Sequence, residues 1–291
     1  MRRMRSWTLL PAAALLLGLT LPVQEPAVTV VPVGAGLSML IGQGGNLGVL
    51  SGPEGLFVVD SQFERMAPAL LQAMDGLQKG ASVRWLVNTH WHGDHTGGNA
   101  QIGAQAVRMA HANVRSRMQS PSARGPASSP AALPTITWEE GVTVHVNGQA
   151  VEIRHVGAAH TDGDSILLFP ESKALHAGDL LFNRMFPFVD HDSGGSVAGL
   201  LTALKEIHAA LPDDWKVIPG HGALATKADL AASIKMIEAT LGIVKERAAA
   251  KQTRAQIVAA GLPEEWNAWS WNFVTTQRWL ESLARECGVK E

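Results

Sequence analysis

From residue 28 onward the chain alternates short apolar runs with glycine and proline: VTVVPVGAG, LSMLIGQGGNLGVLSG and GLFVVD. Val- and Leu-rich runs of this length, bounded by turn formers, predict a β-meander. MAPALLQAMDGLQK (66–79) then places its apolar residues at helical spacing, the mark of a helix with one buried face. VRWLVN (83–88) reads as a buried strand, AHANVRSRMQ (110–119) as the start of a helix, and the Pro-, Ser- and Ala-rich stretch 119–135 as a loop. VTVHVNGQAVEIRHV (142–156) predicts a strand pair turning at Asn147-Gly148. SILLFP, ALHAGDLLF and WKVIPGHG are further strands, residues 197–211 a helix, and the chain from Lys227 on is helical with a break at GLPEEW. Strands and helices alternate twice, which suits two sheets packed face to face with helices outside.

Strand 83–88 runs straight into NTHWHGDHTGGN, with three histidines and an aspartate inside six positions. A packed core has no use for such a cluster, whereas imidazole nitrogen and carboxylate oxygen are the ligand types of zinc and other first-row metals. His90 and His92 are two apart, so an extended backbone sends both side chains to one side. Gly93 then lets the chain bend, returning Asp94 and His95 to the same cavity. If these four hold metal, further ligands belong at the ends of later strands, where loops display chemistry. Three residues fit: His160 in VGAAHTDGDS, Asp179 in LHAGDLLF and His221 in IPGHG.

Composition narrows the class. With 291 residues, 46% of them hydrophobic, the chain can build one large core. It opens MRRMRS and continues WTLLPAAALLLGLTLPV, a basic segment and then an apolar one, as in a secretory signal peptide. Residues 1–25 are therefore read as a signal and 26–291 as a single domain with a helical C-terminal segment. Pro11 and Gly18 interrupt the apolar run and argue against an uncleaved anchor. The expected location is the periplasm or the cell exterior, with no stable membrane association after cleavage. The formal charge of −2, made more negative by loss of Arg2, Arg3 and Arg5, argues against a nucleic-acid groove. Cys287 is the only cysteine, so no intramolecular disulfide forms.

The order HWHGDH, AHTDGD, HAGD, PGHG resembles the metallo-β-lactamase superfamily over residues 28–225. The resemblance implies an α/β fold, the αββα sandwich of two mixed sheets with helices on the outer faces, and two zinc ions per chain. It implies one zinc on His90, His92 and His160, the other on Asp94, His95 and His221, with Asp179 bridging and Asp60 supporting the motif loop. Two departures matter. The β-lactamases with an Asp-Cys-His site carry cysteine where this chain has Asp179, followed shortly by a lysine that holds the drug carboxylate. Here LLFNR follows, with Arg184 the candidate substitute. A bridging aspartate looks like the glyoxalase II, lactonase and thioesterase branches. A set of exported members shares the signatures at His160 to Ser165 and Asp192 to Ser196.

Zinc lowers the pKa of bound water from about 15.7 to about 7. The expected function is thus an exported zinc-dependent hydrolase that cleaves an amide, ester or thioester carbonyl with a metal-bridged hydroxide, β-lactams among the candidate substrates. Asp94 is the expected catalytic residue, accepting a hydrogen bond from the attacking hydroxide. The partner is a small molecule with a hydrolysable carbonyl. Two other readings stand beside it: a mononuclear-iron redox enzyme of the persulfide dioxygenase type, and a non-enzymatic exported metal-binding protein.

The remaining features read more plainly. His111 suits a helix cap or a support for a ligand, and His155 and His176 suit satisfied core histidines or supports beside the ligand loops. His145, His191 and His208 suit surface or local hydrogen-bonding roles. Gly44, Gly45 and Gly48 fit either a flexible hairpin over the site or a simple turn. Trp266, Trp269, Trp271 and Trp279 suit packing, with a substrate wall or dimer face as the alternative.

Overall fold

Strands with one apolar face must bury it, and two sheets here do so against each other. The computed structural model describes residues 27–122 and 125–290, so the expected signal segment lies outside the described residues. The first sheet contains β1 (Thr29–Gly34), β2 (Leu37–Ile41), β3 (Leu47–Leu50), β4 (Leu56–Val59), β5 (Val83–Val87), β6 (Val107–His111) and β7 (Ile136–Trp138), side by side in chain order. β1 to β4 form the expected antiparallel meander, and β4 to β7 pair in parallel. The second sheet contains β8 (Gly141–Val146), β9 (Gln149–His155), β10 (Ser165–Phe169), β11 (Ala174–Phe182), β12 (Lys216–His221) and β13 (Ala225–Thr226). There β11 and β12 run parallel and the other neighbours antiparallel. Asn147 (φ 53°) and Gly148 (φ 72°) make the tight left-handed turn expected between β8 and β9.

Helices α1 (Ala67–Leu77), α2 (Gly93–Thr96), α3 (Asn99–Ile102), α4 (Ala112–Met118), α5 (Val197–Ala210), α6 (Lys227–Ala249), α7 (Arg254–Ala260) and α8 (Thr276–Glu286) complete the described chain. Between the sheets, Phe57 and Phe169 meet edge to face at 6.2 Å, among Met39, Val59, Val151 and Leu167. Full burial of each such side chain contributes about 1.5–3 kcal/mol. Leu70 and Met74 of α1 cover the outer face of the first sheet, while Leu200 of α5, Met236 of α6 and Trp279 of α8 cover the second. The two mixed sheets with helices outside are the expected αββα arrangement.

Two local expectations change. Ala110 and His111 end β6 instead of starting a helix, so α4 begins at Ala112, and the short β7 follows the Pro-rich loop. β6 owes its state to parallel pairing with β5, and β7 to parallel pairing with β6, long-range contacts that local periodicity does not carry. Among the described residues, no helix is long and apolar enough to cross a membrane.

Candidate metal centre

The ends of β4, β5 and β12, the β9–β10 connection and the middle of β11 meet at one edge of the sandwich. Asp60 follows β4 in a left-handed conformation (φ 63°), which turns its carboxylate across the end of β5. Oδ1 accepts a hydrogen bond from Thr89 N (2.8 Å), and Oδ2 accepts from Thr89 Oγ1 (2.8 Å) and His95 Nδ1 (2.7 Å). This holds the motif loop as expected of Asp60. His90 and His92 leave from the extended chain after β5, and the one-turn α2 returns Asp94 and His95 to the same side.

All seven candidate ligands come together. His90, His92, His160 and Asp179 form one group and Asp94, His95 and His221 a second, with the ligand atoms of each within 4.8 Å of one another. Asp179 lies between them. Its Oδ2 is 3.5 Å from His160 Nε2 and 3.7 Å from His90 Nε2, while its Oδ1 is 3.1 Å from His95 Nε2 and 3.5 Å from His221 Nε2.

Hydrogen bonding on the far side of each ring fixes where its lone pair points. The Thr89 hydroxyl donates to Asp60, so it accepts from His90 Nδ1 (3.1 Å) and leaves a lone pair on His90 Nε2. His92 Nε2 donates to Asp190 Oδ2 (2.8 Å), which leaves the lone pair on Nδ1. His160 Nδ1 donates to the Phe188 carbonyl (2.7 Å), which leaves it on Nε2. These three lone-pair nitrogens converge, with His92 Nδ1 2.9 Å from His160 Nε2 and 3.1 Å from His90 Nε2. Three acceptors aimed at one another repel unless a cation sits among them. In the second group, His95 Nε2 and Asp179 Oδ1 are buried, and despite their closeness neither makes an aligned hydrogen bond. Buried ligand atoms left without hydrogen-bond partners around a shared carboxylate fit a metal site.

The charges divide in the same way. Burial pushes the His90 pKa well below its ordinary value, with His95 adding to the effect. Burial also opposes protonation of His221, but Asp179 and Asp94 outweigh it and raise His221 to about 9. Against the same opposition from burial, Asp179, Asp94 and Asp60 hold His95 well above its usual range. Burial would raise both carboxyls, yet His95 and His221 hold Asp94 down to about 2 and Asp179 well below the carboxylate range.

Asp190 is the support that the sequence reading missed. It sits just ahead of the Asp192 to Ser196 signature, 98 positions from the ring it orients, so no spacing rule links them. The glycine-rich loop joins the antiparallel β2 and β3 and packs against the ligand loops. A Cβ on Gly45 would stand 2.0 Å from the His95 ring, and one on Gly220 2.0 Å from Asp179 Oδ1. These glycines are the clearance the ligands need. Next to them, Asn46 ties the glycine-rich loop to the His221 loop, donating through Nδ2 to Pro219 O and Gly222 O, both at 2.9 Å.

Arg184 does not reach the site. It is exposed and pairs with Asp229 at 2.9 Å, at the start of α6. Trp266, Trp269 and Trp279 are buried in packing, but Trp271 faces the site. His111 caps α4, accepting from Asn113 N. His191 hydrogen-bonds Ser282 of α8 at 2.9 Å, and His176 is buried against Asn46 O. A cavity of about 450 Å³ opens over the centre. His92, Asp94, Asp179 and His221 face it, while His90, His95 and His160 are closed off behind them.

The family model described as the metallo-beta-lactamase superfamily matches residues 40–221. A hydroxyacylglutathione hydrolase of Synechococcus sp. is 30% identical over 175 residues, 56% of this chain and 58% of that protein. A second, from Polaromonas sp., is 35% identical over 147 residues, 49% of this chain and 50% of that protein. A type 2 metallo-beta-lactamase of Bacteroides fragilis is 23% identical over 142 residues, 49% of this chain and 54% of that protein. The chain thus spans between 50% and 58% of the length of these relatives. Among solved structures, a metallo-beta-lactamase from Pontibacter korlensis superposes with a TM-score of 0.61 at 18% identity, covering 73% of this chain and 99% of that one. A stereoselective inverting sec-alkylsulfatase from Pseudomonas sp. superposes with a TM-score of 0.69 at 15% identity, covering 90% of this chain and 50% of that one. At these identities both likenesses concern the fold.

Proposed function

The chain belongs to the metallo-β-lactamase superfamily, and from that premise we propose that it is a dizinc hydrolase acting on a carbonyl of a small molecule, with a thioester or ester as the leading substrate. The observation that carries the reading is the convergence of three imidazole lone pairs on one side of Asp179 and the second His/Asp group on the other. His90, His92 and His160 would hold one zinc, Asp94, His95 and His221 the other, and Asp179 both. Two ions held there supply Lewis acidity and lower the pKa of water to about 7. The chain's own side chains do the rest. Thr89, Asp190 and the Phe188 carbonyl keep the imidazoles in the ligating tautomer. Asp94, which faces the cavity, accepts a hydrogen bond from the attacking water and orients it toward the carbonyl. The hydroxyacylglutathione hydrolase relatives favour a thioester, and the aspartate at position 179 agrees with that branch. β-Lactam cleavage is second, favoured by the Bacteroides fragilis relative and weakened by the distance of Arg184 from the site. The proposed location is outside the cytoplasm, resting on the basic-then-apolar segment at 1–25.

Elemental analysis of the purified chain, paired with assays on thioesters, esters, lactones and a chromogenic cephalosporin, tests the proposal. Two zincs per chain and chelator-sensitive turnover of at least one class are expected. One iron with oxygen consumption would replace the reading with the redox enzyme, and bound metal without turnover would leave a metal-binding protein.

A further inference from the structure

The cavity has two unlike walls. On one side stand the metal-facing polar groups, and on the other a continuous aromatic arc. Phe188 lies 5.3 Å from Phe273, Phe273 5.7 Å from Trp271, and Trp271 5.9 Å from Phe182, centroid to centroid. The arc touches both ligand groups, since Phe188 is 5.9 Å from the His92 ring and Phe182 stacks on His221 at 5.0 Å. Whatever carbonyl reaches the metals therefore carries its substituent along aromatic faces.

Among the described residues, no lysine or arginine lines this cavity. The nearby guanidiniums are already engaged by neighbouring groups. Arg65 lies over the Phe63 ring at 4.3 Å and donates to Gln43, Arg184 pairs with Asp229, and Arg278 lies over the Phe273 and Phe188 rings at 4.1 and 4.9 Å and donates to Phe273 O at 2.8 Å. A carboxylate pressed against this arc would lose its water and find these cations already paired. An alkyl or aryl group would gain contact area and ring-to-ring packing.

We infer that the site selects an uncharged, apolar acyl group, with Phe273 and Trp271 as the specificity-determining wall; this rests on the hydrolase reading above. Both residues lie beyond the segment 40–221 that the family model matches. Trp271 is fixed by donation from Nε1 to the Phe186 carbonyl (2.9 Å), while Phe273 stands 43% exposed at the mouth.

The test uses the zinc-loaded full chain and N-acetylcysteamine thioesters bearing acetyl, phenylacetyl or succinyl groups. The phenylacetyl thioester should exceed the acetyl one in kcat/KM by about tenfold or more, the scale on which apolar pockets discriminate. The succinyl thioester should be the poorest of the three. Phe273→Ala, a change at an exposed side chain that folding tolerates, should act on KM and draw the phenylacetyl-to-acetyl ratio toward unity. Phe273→Lys should selectively improve the succinyl substrate. Equal handling of succinyl and phenylacetyl, or an unchanged ratio in both Phe273→Ala and Trp271→Leu, overturns the inference. If no thioester is turned over, the thioesterase reading fails separately, and calorimetry with the uncleavable S-(2-phenylethyl)-N-acetylcysteamine decides the wall. Tighter binding to wild type than to Phe273→Ala supports it, and equal or absent binding overturns it.

Discussion

The two ligand groups are only a carboxylate apart, yet they are built on different principles. His90, His92 and His160 are nearly solvent-free, and each has its tautomer set by a partner on the far side of its ring. Asp94, His95 and His221 are balanced by charge, with Asp94 and His221 half-open to the cavity. The first group is held ready for a cation by geometry, while the second carries protons in place of one. The difference teaches which part of the centre anchors metal and which part exchanges with water and substrate.

Removing the shared carboxylate should have the largest effect. Asp179→Ala leaves His95 and His221 without the charge that balances them and takes a ligand from both groups. Metal content should fall to one ion or fewer, and turnover by well beyond the about 10–100-fold typical of support residues. Retention of two metals would show that Asp179 is not common to the groups.

Next come the supports, Asp190 and Asp60. Asp190→Ala should weaken the first metal, while Asp60→Ala, which releases His95 directly and His90 through Thr89, should weaken both, each by about 10–100-fold in affinity, read by chelator titration. If Asp190→Ala loosens both ions equally, the groups are not independent.

Proton release separates them by charge. At pH 7 the metal-free second group holds protons on His95 and His221, so loading it should expel about two protons, whereas loading the first should expel fewer. Calorimetry in buffers of different ionisation enthalpy reads the count. The same shift bears on stability. His221 is raised in the fold, so its contribution to the metal-free protein is fully present below its unfolded pKa of about 6.5 and is lost as pH rises through about 9. Melting of chelated protein should therefore drop between pH 6 and 9, and the drop should shrink in His221→Gln.

The smallest effect belongs to Arg184→Ala. An exposed ion pair away from the cavity should leave stability within about 0.5 kcal/mol and KM for carboxylated substrates unchanged. A large rise in that KM would return Arg184 to the site.

Much of this centre was readable in the chain. The seven ligand candidates announced themselves because imidazoles and carboxylates crowded at strand ends have few other uses, and β1 to β4 because alternation with turn formers is a local signal. Asp60 was found by resemblance. β6 and β7 were not foreseen, since parallel pairing needs a distant neighbour. Gly45 and Gly220 were readable as glycines but not as clearance, which depends on what stands beside them. Trp271 was grouped with three packing tryptophans because its spacing resembles theirs.

By itself, then, the sequence determined the ligand types, their order and the layered architecture, because side-chain chemistry and hydrophobic period are properties of neighbours along the chain. Tertiary structure alone decided that Asp190 orients His92, that Asp179 stands between two groups, and that Phe273 and Trp271 wall the cavity. Each of those facts is a distance between residues far apart in the chain, and such distances exist only once both sheets and the C-terminal helices have packed.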